Sequence, residues 1–230
     1  MRPEDAPPKV GRVVLLSGGL DSAVTLAAMA ACGPVTALFV DYGQAAAMPE
    51  REAARRQAVA YKARLEEVSL PFVARWSRNP LFPGGEPPTP ASLDGEAARE
   101  SARAVWVPAR NALLLTVGAC LAESVGYAAV AMGFNAEEAG TFPDNSIEFA
   151  QAGTEFLSLG TLSGVRVEAP LARMRKDEIV LLGLRLGAPI GEVWSCYKGG
   201  ETMCGCCESC LRLKRALACC PGSPLLRFLR

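Results

Sequence analysis

Residues 13–22 read Val13-Val14-Leu15-Leu16-Ser17-Gly18-Gly19-Leu20-Asp21-Ser22. The apolar, β-branched run Val13–Leu16 has the character of a strand buried on both faces of a parallel sheet. Ala-rich helical sequence follows over about 23–31, and Gly33-Pro34 closes it. The intervening hexapeptide is therefore a strand-to-helix loop. Two glycines let the backbone approach an anion closely. The helix that follows offers free N–H groups and the positive end of its dipole. Ser17 and Ser22 add hydroxyl donors. Asp21, itself an anion, either holds Mg²⁺ or caps the helix. No Gly-Lys-Ser/Thr follows, so this is not a Walker A loop, and the glycine spacing is not GxGxxG.

Working outward, the same alternation repeats. Strands are expected at Val35–Val40, Leu65–Val68, Ala128–Met132 and Val165–Ala169. Helices are expected over about 50–64, 111–124, 147–159 and 176–186, the last ended by Gly187. Strands alternating with helices of this length predict an α/β fold: a Rossmann-like, doubly wound parallel sheet. Its ligand belongs at the carboxyl ends of the strands, which singles out loops 17–22, 41–44 and 133–145. Residues 1–11 read as a disordered lead-in and 12–190 as the nucleotide-binding domain. Within it, 77–103 is rich in Pro, Gly and Glu and reads as a loop or lid. Residues 191–230 form a Cys-rich carboxy-terminal region.

Composition narrows the chemistry. Lys plus Arg number 24 and Asp plus Glu number 24, so the basic footprint of a nucleic-acid binder is missing and a small-molecule substrate is expected. Residues 1–12 lack the apolar centre of a secretory signal and no apolar run is long enough to cross a bilayer, so the expected location is the cytoplasm, with no membrane partner. The chain has no histidine, which removes Ser-His-Asp triads and His general bases. It has nine cysteines. Cys204, Cys207 and Cys210 stand at Cys-x2-Cys-x2-Cys spacing, and Cys196 lies upstream of the first of them with seven residues between. In a cytosolic protein such a cluster means metal. Four thiolates suit a closed Zn²⁺ site, with an iron–sulfur cluster as the competitor. Cys206 falls out of phase with the other four.

The hexapeptide Ser17–Ser22 resembles the SGGxDS signature of the PP-loop ATP pyrophosphatases, which release pyrophosphate and leave AMP on the substrate. Further motifs follow in order: Asp41-Tyr42-Gly43-Gln44, Val107-Pro108-Ala109-Arg110-Asn111, Gly133 with Pro143-Asp144, Ala169-Pro170-Leu171 with Lys176, and Ser195-Cys196-Tyr197 with the Cys triplet. This order, over nearly the whole chain, is similar to the 7-cyano-7-deazaguanine synthase family of the queuosine pathway. The resemblance implies adenylation of 7-carboxy-7-deazaguanine by ATP, attack by ammonia, and dehydration of the resulting amide to the nitrile. It implies a homodimer, and ATP, Mg²⁺ and Zn²⁺ as cofactors. ATP falls to Leu16, Ser17, Gly18, Gly19, Leu20, Asp21, Ser22 and Gly133. Substrate falls to Tyr42, Gln44, Arg110, Asn111 and Asp144. Asp21, Arg110 and Lys176 carry the catalysis, and Cys196, Cys204, Cys207 and Cys210 the zinc.

Several roles stay open at this level. Arg110 grips a phosphate, grips the substrate carboxylate, or merely begins a helix. Lys176 touches pyrophosphate or lies on the surface. Asp144 reads the base edge or caps the 147–159 helix. The family carries a His and basic residues just after Tyr-Gly-Gln, where this chain has Ala45-Ala46-Ala47-Met48-Pro49. That departure keeps a second expectation alive, a ligase that stops at the amide or joins the acid to an amine of a protein acceptor. A tRNA thiolation enzyme using Cys206 and a non-enzymatic zinc ribbon are the remaining alternatives.

Overall fold

The computed structural model describes residues 10–229. Most of the expected lead-in lies outside them. Gly11 is already packed, since a β-carbon there would fall 2.1 Å from the Tyr127 ring. The elements run β1 (Arg12–Leu15), α1 (Leu20–Ala30), β2 (Val35–Asp41), α2 (Ala47–Ala60), β3 (Arg64–Ser69), α3 (Phe72–Trp76), α4 (Gly95–Ala104), α5 (Arg110–Ser124), β4 (Ala129–Ala131), α6 (Ala136–Ala139), α7 (Ile147–Gly160), β5 (Arg166–Glu168), α8 (Lys176–Leu186) and α9 (Glu208–Ala218). The five strands form one parallel sheet in the order β3-β2-β1-β4-β5. The doubly wound expectation therefore holds. The order reverses between β1 and β4, and their carboxyl ends open a crevice where such sheets take their ligands.

Strand alternation explains the two covered faces. Val13, Leu38, Val40, Val130 and Met132 point to one side, against Leu115 and Ala119 of α5 and Leu157 of α7. Val14, Leu16, Ala37, Phe39 and Ala131 point to the other, against Leu26 and Met29 of α1 and Ala54 and Ala58 of α2. A period of two thus feeds both layers, and each fully buried Val, Leu or Phe contributes about 1.5–3 kcal/mol. A third cluster joins α8, α9 and the cysteines to the outer side of α1.

Helix boundaries differ from the sequence reading in instructive places. α1 starts at Leu20 rather than near Ala23, so Asp21 and Ser22 lie in its first turn. α2 starts at Ala47, three residues earlier than its first charged residue suggests. The segment 77–103 is not wholly irregular, because its last third is α4 with Ala98 and Ala102 buried. Its earlier part is pinned as well. Leu81 and Phe82 join a small apolar cluster with Val73, Val105 and Val107, and the Leu81 carbonyl accepts from Ala45 N at 2.8 Å. α8 ends as expected, with Gly187 left-handed at φ 66°.

Gly118 lets α5 press on the sheet. A β-carbon there would lie 2.9 Å from Val130 Cγ1 and 3.2 Å from Leu15 Cδ2. A helical glycine normally weakens a helix by about 1 kcal/mol relative to Ala. Here the close approach outweighs propensity. Gly118→Leu is expected to lower stability by about 1–3 kcal/mol through overpacking. Urea unfolding followed by circular dichroism measures it, and an unchanged midpoint would contradict the packing argument.

Candidate active site

The loop after β1 is built by one carbonyl. Gly18 has φ 83°, and a β-carbon on it would fall 2.4 Å from the backbone oxygen of Glu50. Any other residue is both strained and obstructed there. Its carbonyl accepts from Trp194 N at 2.9 Å and from Gln57 Nε2 at 2.8 Å. With that carbonyl held, Gly19 enters α1 in extended geometry and no side chain caps the helix. The first-turn N–H groups are left for an anion. Ser17 Oγ and Ser22 Oγ sit 3.1 Å apart beside them. Gly133 closes the far side, where a β-carbon would be 3.1 Å from Asp21 C and Ser22 N. A glycine is needed at 133 for close approach, not for its dihedral angles.

Asp21 is not a cap. Its Oδ2 accepts from Lys176 Nζ and, at 3.2 Å, from Asn135 Nδ2. Lys176 also reaches Glu138 Oε1 at 2.8 Å, and its side chain is only 12% exposed, so it is no surface lysine. One ammonium thus serves two carboxylates. Burial acts against the charge of Lys176, but Asp21 and Glu138 outweigh it and the pKa is raised. The carboxylates split. Burial, aided by the nearby charge of Glu138, lifts Asp21 despite Lys176. Burial also opposes ionisation of Glu138, but Lys176 overcomes it and the pKa falls. Asp21 Oδ1 is buried with no hydrogen-bond partner among the described residues.

A cleft of about 280 Å³ runs from this loop along the switch point. Leu16, Ser17, Gly19, Leu20, Asp21 and Ser22 line one end, with Gly133 and Lys176. Tyr42, Gln44, Arg110, Asn111 and Asp144 line the rest, so the loops singled out from the sequence do converge. The Arg110 guanidinium lies over the Tyr42 ring, 5.9 Å from its centre. Its Nε donates to Asn111 Oδ1 at 3.2 Å, and Asn111 Nδ2 donates to the Asp144 carbonyl at 3.1 Å. Ala109, left-handed at φ 53°, sets the direction in which Arg110 begins α5. Asp144 does not cap α7, because Ser146 Oγ does, accepting from Phe149 N at 3.0 Å. Burial raises the Asp144 pKa, with Arg110 opposing. Gln44 is spent inside its loop: Oε1 accepts from Tyr42 N at 2.9 Å and Nε2 donates to Glu50 Oε2 at 2.8 Å.

The carboxy-terminal segment forms another wall. The Sγ atoms of Cys196, Cys204, Cys207 and Cys210 lie within 4.8 Å of one another and all four residues are buried. Tetrahedral zinc at ~2.3 Å from each sulfur separates sulfurs by about 3.8 Å, and the Cys204–Cys210 pair stands at 4.0 Å. Backbone amides of Lys198 and Cys204 donate to Cys196 Sγ, and that of Cys207 to Cys204 Sγ. Hydrogen bonds from Cys207 and Cys210 draw the Cys196 thiol down to about 2, while Cys207 is pushed up to about 12 chiefly by its bond to Cys196. Four buried sulfurs ionise together only around a cation, so the donor set fits a soft divalent metal. Cys206 is half-buried beside this cluster and not in it. Trp194, Ser195, Tyr197 and Glu208 carry the same segment into the cleft.

Sequence reasoning missed Glu50, Trp106, Glu138, Phe142, Glu208 and Arg212, all of which line the cleft. Trp106 and Phe142 stack with centroids 6.1 Å apart and planes 13° from parallel. Trp106 stands one residue before the Val107–Asn111 motif and was the one detectable from position. The acidic residues carry no local signal, because distant cations and strands set their roles.

A family model described as "Queuosine biosynthesis protein QueC" matches residues 11–220. The chain belongs to the QueC family. The 7-cyano-7-deazaguanine synthase of Desulforudis audaxviator is 47% identical over 208 residues, covering 89% of this chain and 94% of that protein. The enzyme of the same name from Methanothermobacter thermautotrophicus is 43% identical over 205 residues, covering 89% and 92%. NMN synthetase from Francisella tularensis superposes with a TM-score of 0.48 at 14% identity, covering 97% of this chain and 90% of that one. QueC membership agrees with the convergence of the ordered motifs on one cleft.

Lys176→Met would leave Asp21 and Glu138 facing each other without their cation. Removing one partner of a buried pair costs about 3–5 kcal/mol, and partial exposure of Glu138 brings the expected loss to about 2–4 kcal/mol. Adding Glu138→Gln should restore part of it. Urea midpoints of the single and double variants measure both changes.

Proposed function

We propose that the chain activates 7-carboxy-7-deazaguanine with ATP as an acyl-adenylate, lets ammonia displace AMP, and dehydrates the amide to 7-cyano-7-deazaguanine. The supporting observation is the uncapped start of α1 between Ser17 and Gly133, an anion seat at one end of a cleft in a QueC family member. A carboxylate is a poor electrophile, and adenylation supplies a leaving group. Charge grows on the α-phosphate as the acid attacks, and the first-turn N–H groups with Ser17 and Ser22 stabilise it. Lys176 neutralises departing pyrophosphate. Arg110, braced by Asn111 and Tyr42, grips the substrate carboxylate as a planar fork. Asp144, beside the Trp106–Phe142 stack, takes the donor edge of the deazapurine.

Asp21 would hold Mg²⁺ through the carboxylate oxygen that has no hydrogen-bond partner among the described residues, and the ion would supply charge neutralisation to phosphates. Cys196, Cys204, Cys207 and Cys210 would hold Zn²⁺ as a structural ion. Reduced thiols and ATP use suit a cytoplasmic enzyme. Phe156, Leu159 and Leu162, exposed on α7 and just beyond it, suit a homodimer surface. No helix among the described residues is long and apolar enough to cross a membrane. The uncharged stretch Ala45–Ala47 favours a second reading, in which the adenylate is passed to an amine on a protein acceptor.

Purified protein with ATP, Mg²⁺, ammonium and the deazaguanine acid is expected to give AMP, pyrophosphate and a nitrile by mass spectrometry. Amide as the final product would refute the nitrile step and leave the adenylation standing. Metal analysis should find one zinc per chain, and Cys207→Ser should lose it together with stability.

A further inference from the structure

Resting on the proposed adenylation, we infer that Glu50 is the proton acceptor for the attacking ammonium. The chain has no histidine, and burial keeps the cleft phenols Tyr42 and Tyr197 protonated, which leaves the carboxylates of the cleft as acceptors. Asp21 and Glu138 are tied to Lys176, and Glu208 to Arg212 at 2.8 Å. Asp144 is assigned to the donor edge of the deazapurine, and its Oδ1 accepts from Asn145 Nδ2 at 3.1 Å. Glu50 lines the cleft and makes no ion pair among the described residues. Its backbone oxygen abuts Gly18, which sets the start of α2 against the loop 17–22.

The carboxyl is also oriented. Gln44 Nε2 donates to its Oε2 at 2.8 Å, and Gln44 is itself fixed by Tyr42 N. The spent amide of Gln44 therefore acquires a purpose, since it positions Glu50. Burial raises the Glu50 pKa to about 7; the Gln44 hydrogen bond and the Arg110 charge oppose the rise, while Asp41 and Cys196 add to it. A base matched to neutral pH transfers protons best.

The step balances as follows. One ammonium proton passes to the Glu50 carboxylate. The freed nitrogen lone pair forms the C–N bond to the acyl carbon. The acyl C–O bond breaks and its electrons leave with AMP. The surplus proton on nitrogen passes to water.

The test compares wild type, Glu50→Gln and Glu50→Asp, all full-length. Gln keeps the hydrogen-bonding shape and loses the base. Acid-dependent exchange of labelled pyrophosphate into ATP reports adenylation. Ammonium then reports amide formation at neutral pH, and hydroxylamine, uncharged at that pH, reports attack without a required deprotonation. Glu50→Gln should keep exchange and hydroxamate formation within about threefold while amide formation falls about 100-fold, and Glu50→Asp should recover part of the loss. Equal loss with both nucleophiles, loss of exchange, or an unchanged ammonium rate would each overturn the assignment. A wild-type protein with no exchange would instead overturn the adenylation reading.

Discussion

The carbonyl of Gly18 is the point on which the cleft turns. One peptide oxygen accepts from the amide of Trp194 and the side chain of Gln57, and this fixes the plane of the peptide between Gly18 and Gly19. A flipped peptide would direct a lone pair, not a donor, toward the start of α1. The two donors come from unrelated places, a helix behind the loop and the segment leading to the cysteines. The anion seat is therefore not a property of the glycine-rich sequence alone. It needs α2 on one side and the carboxy-terminal region on the other.

Charge follows the same design. Under the proposed function the cleft receives polyanions, yet Asp21, Glu50, Glu138, Asp144 and Glu208 all line it. Repulsion is contained by local pairing. Lys176 serves two carboxylates, and Arg212 is shared between Glu208 and Glu137. These pairs join α6, α8 and α9, so the electrostatics that prepare the cleft also hold the cysteine segment against the sheet. The cysteine set and the helix that follows loop 17–22 share one packed cluster, with Leu20, Ala23 and Val24 of α1 beside Cys196, Cys207 and Cys210.

Much of this was legible in the chain. Apolar runs such as Val35–Val40 mark strands buried on both faces, and Gly187 marks a helix end, because local sterics decide both. The phosphate loop and the cysteine set were readable because their geometry is carried by short spacings. Other features were not. The role of Asp21 depends on Lys176, 155 residues away, so the sequence left a helix cap open beside Mg²⁺ binding. Gln44 looked like a substrate ligand, yet its polar atoms satisfy the loop and Glu50. The irregular composition of 77–103 hid α4, whose two buried alanines carry little apolar signal.

The long reach of the clamp on Gly18 has a bearing on synthesis. A ribosome delivers residues 17–22 long before Trp194. Until β4 emerges β1 has only β2 to pair with, and Arg12 waits longer still for Glu168, its partner across 156 positions. Parallel pairings of such high sequence separation form slowly because loop closure must precede their reward. The nascent amino-terminal half thus holds exposed strand edges without a finished nucleotide seat. Under the proposed function, the seat for ATP is complete only once Trp194 has docked on the Gly18 carbonyl.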